Sequence, residues 1–76
     1  MLAVTPSHEL KAQAAALQSK AEKHCRWGLI LANAGETDLA SEHFSRAETE
    51  EHTASMLYRA AHVVSSFERE HTTRAA

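Results

Sequence analysis

The stretch Ala21–Ala47, AEKHCRWGLILANAGETDLASEHFSRA, decides the fold of this chain. Small residues sit where two helices would cross, at Gly28, Ala32, Ala40 and Ala47. Large ones sit beside them, at Trp27, Leu31, Leu39 and Phe44. Between the two runs, Asn33-Ala34-Gly35 reads as a tight turn. Gly35 can take the left-handed conformation that closes a helix without a Cβ penalty. Thr37 or Asp38 is placed to cap the helix that follows. The pattern is that of an antiparallel helical hairpin.

Upstream, Thr5-Pro6 marks a helix start, with Thr5 as cap and Pro6 at the first helical position, where no backbone donor is needed. Leu10, Ala14, Leu17, Ala21, His24, Gly28 and Leu31 then alternate spacings of four and three, a heptad seam. Downstream, Ala40, Phe44 and Ala47 line the inner face of the second helix, and Ala54, Leu57, Ala61, Val64 and Phe67 continue it. Between them Glu48–Thr53 is polar throughout. It is either an exposed turn of one helix or a break, and the lack of Gly or Pro favours continuity. The sequence therefore predicts one helical domain over 1–76: helix 1 about 6–33, a turn at 33–36, and helix 2 about 37–70. The end, Glu68–Ala76, is polar and expected to fray.

The 76 residues allow one domain. Strand-forming alternation is absent, and good helix formers dominate, so the expected class is all-α. Large apolar residues are few, and a two-helix hairpin leaves one side of each stripe uncovered. The expected remedy is self-association of two hairpins into a four-helix bundle, a homodimer, or docking on another protein.

The net charge is −2, which gives no overall attraction to nucleic acid. A basic first half, with Lys11, Lys20, Lys23 and Arg26, faces an acidic second half, with Glu36, Asp38, Glu42, Glu48, Glu50 and Glu51 among its acids. That split favours pairing within the hairpin or between protomers. Cys25 is the single cysteine, so no intrachain disulfide is expected. Met1–Pro6 lacks the pattern of a signal peptide. The longest apolar run, Trp27–Ala32, is too short to span a bilayer. A cytoplasmic protein without membrane contact is the expectation.

Trp27-Gly28, Leu31, Gly35, Ala40, Phe44 and Ala47 stand at the spacings of a single tetratricopeptide-type repeat, which this stretch resembles. The resemblance implies a hairpin packed through small and large residues. One unit does not build that family's tandem groove. The wider layout, with Leu31, Gly35, Ala40, Phe44, Ala47, Tyr58, Arg59 and Ala60, resembles the ANR family of small bacterial regulators. That resemblance implies regulation by binding other regulators rather than by catalysis.

Six histidines in so short a chain invite a metal reading. Ligands on one helix need spacings of three or four to share a face. His43, His52, His62 and His71 are nine or ten apart, and no His-x3-His pair exists. Glu68 and His71 form one Glu-x-x-His, the spacing of di-iron bundles, without the further carboxylates such a site needs. Glu48 and His52 make an ordinary surface pair. No metal and no cofactor are expected. His24, in the seam, is expected to weaken the bundle when protonated, since burial disfavours the charged form.

Cys25 is mid-helix beside His24, where neighbours do not face each other. No serine sits in a Gly-rich elbow, and no phosphate loop exists. No catalytic residue is therefore expected, and the chain is expected not to be an enzyme. Trp27, Leu57, Tyr58, Arg59, Val64 and Phe67 are the candidate partner or dimer interface, because Trp, Tyr and Arg dominate binding hot spots. Lys20, Lys23 and Arg26, at spacings of three, are the candidate nucleic-acid face. The expected function is a small regulatory or adaptor protein that binds and modulates another protein. The alternatives are a DNA-associated regulator using helix 1, and a structural bundle.

Overall fold

In a computed structural model, which describes the backbone of residues 5–75 and the side chains of residues 5–70, the chain is an all-α antiparallel hairpin. Helix α1 spans Ser7–Asn33 and α2 spans Thr37–Ala75. Met1–Val4, part of the segment weighed as a leader, lie outside the described residues. The reversal is built from backbone hydrogen bonds. Gly35 takes φ 84°. Its amide donates to the Ala32 carbonyl at 3.1 Å, and the Glu36 amide reaches back to Leu31 at 2.8 Å. This paired closure is the Schellman motif, which satisfies carbonyls left open at a helix end.

The helix starts differ from expectation. Pro6 occupies the cap position of α1, one residue later than Thr5, and no side chain from its own segment caps the helix. The first amide is satisfied from across the hairpin instead. The Ser7 amide and hydroxyl donate to the two Glu68 carboxylate oxygens, each at 3.0 Å. At α2, the Ala40 amide donates to the Glu36 carbonyl at 3.0 Å, so Glu36 holds the cap position. Thr37 and Asp38 fall in the first turn, where Asp38 complements the helix dipole.

The polar run Glu48–Thr53 is continuous helix. Thr49 and Thr53 turn their hydroxyls onto the carbonyls of Ser45 and Thr49, at 3.1 and 3.0 Å. These β-hydroxy residues thus hydrogen-bond within the helix instead of breaking it. With 39 residues against 27, α2 outruns α1, and the hairpin is 61 Å long but only 20 and 13 Å in its other dimensions.

Small side chains alone make the core. Ala14, Ala21 and Gly28 of α1 face Ala40, Ala47, Ala54 and Ala61 of α2, all buried. No large side chain among the described residues is fully buried. The seven-residue repeat of small groups keeps this seam straight along both helices and lets their backbones approach closely. The six alanine methyls contribute roughly 5 kcal/mol of apolar transfer at about 0.8 kcal/mol per carbon. Two or three buried leucines would do as much, so the seam specifies geometry more than it supplies stability. Phe44, expected on the inner face of the second helix, stands at the edge and is 38% exposed, and Trp27, a candidate interface residue, is 56% exposed. A seam this tight has no room for rings between the helices. Phe44 lies across Gly28, where a Cβ would come within 2.6 Å of its ring.

Candidate functional site: two faces of the hairpin

On each helix the residues flanking the small row form two further rows, one on each side of the hairpin. The front carries Leu10, Leu17, His24 and Leu31 of α1, and His43, Glu50, Leu57 and Val64 of α2, all half-buried. The back carries Gln18 and Cys25 of α1, and Phe44, Glu51 and Tyr58 of α2. Cross-helix contacts fix this division. His24 meets His43 on the front, while the Tyr58 phenol donates to Gln18 Oε1 at 3.0 Å on the back.

The front row changes chemistry halfway along. Its distal part, away from the turn, is leucine and valine. Its proximal part holds His24, His43 and Glu50, with Leu31 next to the turn. The two imidazoles share an Nδ1–Nδ1 hydrogen bond of 2.9 Å, with ring centroids 5.1 Å apart. His24 Nε2 faces a Glu50 carboxylate oxygen at 3.5 Å, and that oxygen is buried with no closer hydrogen bond. In the 2.9 Å contact one Nδ1 must donate and the other accept, so the two rings cannot both carry a proton there.

The trio does not form a metal cage, because the two ring nitrogens of His24 point at different partners. Among the described residues no group of three or more His, Cys, Asp or Glu is arranged to hold a metal ion. Glu68 is engaged by Ser7, and the His71 side chain lies outside the described residues. Sequence spacing missed the His24–His43 pair, since spacing rules treat one helix at a time. The signal was available in register: His43 and Glu50 are seven apart on the row that the hairpin turn brings opposite His24.

The expected interface residues divide between the two sides. Leu57, Val64 and Phe67 lie on the front, with Trp27 nearer the turn. Tyr58 and Arg59 belong to the back, where Gln18, Glu51, Ser55, Tyr58, Arg59 and His62 line an open groove of about 590 Å³. Lys20, Lys23 and Arg26 spread from the front edge to the outer surface of α1. Lys20 and Lys23 share a shallow depression with Trp27, His24, His43 and Glu50, so an acid lies within the basic face. Arg26 and Lys23 flank Trp27 and Ile30.

No helix among the described residues is long and apolar enough to cross a membrane. Comparison of the chain with protein-family models, with curated proteins and with solved structures finds no match.

Proposed function

We propose that this chain is a non-catalytic interaction module: a helical hairpin that binds another protein and modulates it by occlusion or recruitment. The carrying observation is the distribution of apolar surface. Among the described residues nine large apolar side chains are exposed, from Trp27 to Phe67, while the core holds nothing larger than alanine. Such exposure on a regular, rigid hairpin suits docking of a partner segment. The back groove offers the chemistry of a hot spot. Tyr58 presents a ring whose hydroxyl is held by Gln18, and Arg59 adds a charged rim opposite Glu51.

The test is affinity capture from host lysate at moderate salt with nuclease, using the native chain beside Tyr58→Ala and Arg59→Glu. A protein retained by the native chain after nuclease, and lost with both variants, supports the reading. Recovery only of nuclease-sensitive species, abolished by reversing Lys20, Lys23 and Arg26, would replace it with the DNA-associated reading. Binding to DNA would then fall steeply with salt.

A further inference from the structure

Among the described residues nothing covers the front of the hairpin, and its distal half has a composition unlike the rest of the surface. Leu10, Leu17, Leu57 and Val64 are half-buried there, and Ala60 is exposed between the last two. Among the described residues no Asp, Glu, Lys or Arg interrupts this patch, and the charged residues of the front, Lys20, Arg46 and Glu50, lie nearer the turn.

We infer that this distal front patch is the seat of a second copy of the same chain, with Leu10, Leu17, Leu57, Ala60 and Val64 packed against themselves across a two-fold axis. Three observations choose a second copy. The first is thickness. At 13 Å across its thinnest dimension the hairpin is a single layer of helices, whereas stable domains pack two layers around a core. A second hairpin laid on the front supplies the missing layer.

The second is area. The chain exposes 5954 Å² for 8.4 kDa. A compact monomer of that mass exposes about 4,600 Å² by the usual scaling, so the hairpin shows about 1,300 Å² in excess. A standard interface removes about 800 Å² per partner. One self-association of ordinary size therefore accounts for most of the excess.

The third is self-complementarity. An uncharged apolar patch meets its own copy with no like-charge cost, which a two-fold interface requires because each residue row meets itself. This inference uses the side of the hairpin opposite the Tyr58–Arg59 groove and stands independently of the partner reading.

The experiment is sedimentation equilibrium across 5–200 µM on the full chain, with circular dichroism on each variant. The probes are Ala60→Glu, at an exposed front position, and Leu29→Glu, at an exposed position on the back of α1. Neither side chain is part of the alanine seam, so both variants are expected to keep their helical signal. The expected result is a native mass of twice the chain's, retained by Leu29→Glu and reduced to one chain by Ala60→Glu, with association weakened at least tenfold. A native chain that stays monomeric at 200 µM overturns the inference. So does a dimer that both variants break, that neither breaks, or that only Leu29→Glu breaks. Partner capture through Tyr58 and Arg59 is read separately, so loss of one proposal leaves the other standing.

Discussion

The two halves of the hairpin's front share one backbone geometry and carry opposite chemistry. Near the turn the flanking row holds the polar trio His24, His43 and Glu50, with Leu31 at its end. Far from it, the same heptad positions are Leu10, Leu17, Leu57 and Val64. Both halves rest on the same row of small residues, buried to the same degree from Ala14 and Ala61 to Ala47 and Ala40. The difference teaches that the small row, not the large side chains, sets how the helices approach. Flanking positions are thereby released from holding the fold and can be polar without opening it.

If the small row governs both halves, enlarging it should be the most damaging change anywhere along the seam. Ala61→Leu, in the distal half, and Ala47→Leu, in the proximal half, should each lower unfolding free energy by about 3 kcal/mol, at the upper end of overpacking costs. Urea unfolding at fixed protein concentration reads both. Similar losses keep the two halves equivalent at the seam. A mild effect in one half alone would break the comparison.

Much of this architecture was legible in the chain because a seven-residue repeat of alanine and glycine is a direct record of close packing. Gly35, alone at the end of an apolar run, marked the turn for the same reason. The edges were less legible. Phe44 read as inner face by its place in the row, yet a seam closed by methyl groups excludes rings, and it stands partly in solvent. The cap of α1 could not be read locally either, since its acceptor lies 61 residues away at Glu68. The histidine pair required register between helices, which spacing within one helix does not carry.

The polar layer invites the converse substitution. Replacing His24, His43 and Glu50 together by leucine would make the proximal half resemble the distal one. Exchanging a partly buried polar cluster for packed apolar groups is commonly neutral or stabilising. The triple variant should gain about 2 kcal/mol, measured by thermal unfolding at matched concentration, because any self-association makes the midpoint concentration-dependent. His43→Leu alone should not gain, since it leaves His24 Nδ1 facing carbon. A triple variant less stable than the native chain would mean that the trio holds the hairpin together, and the two halves would no longer be separable in the way argued above.

A finer difference lies at Gly28, the only non-alanine in the small row. Glycine within a helix costs about 1 kcal/mol against alanine, yet a Cβ here would meet three carbons of the Phe44 ring at 2.6–2.9 Å. The two effects can be separated by a double-mutant cycle. In a Phe44→Ala background, Gly28→Ala should stabilise by about 1 kcal/mol. In the native background the gain should be absent or reversed, because the ring must swing outward. Equal gains in both backgrounds would show that Phe44 moves freely, and Gly28 would then need another explanation.

The smallest effect expected is at the open end, where α2 outruns α1 and its Glu68 serves the first amide of the shorter helix. The two hydrogen bonds from Ser7, backbone first and hydroxyl second, hold the Glu68 carboxyl below its ordinary value of 4.5, with lesser help from the charges of His8 and Lys11. Its folded value is depressed, so the contribution is fully present above about pH 4.5 and is lost as pH falls through the lower folded value. Glu68→Gln should therefore lower the melting temperature slightly at pH 7, and the gap from the native chain should close as pH falls through the lowered folded value. Ser7→Ala should reproduce only part of it, because the backbone amide still has its acceptor. The carboxylate is fully exposed, so added salt should shrink the charge-dependent part as well. If the gap persisted unchanged at pH 3, the clasp would owe nothing to ionisation, and the missing local cap of α1 would have to be made good by solvent instead of by the far end of α2.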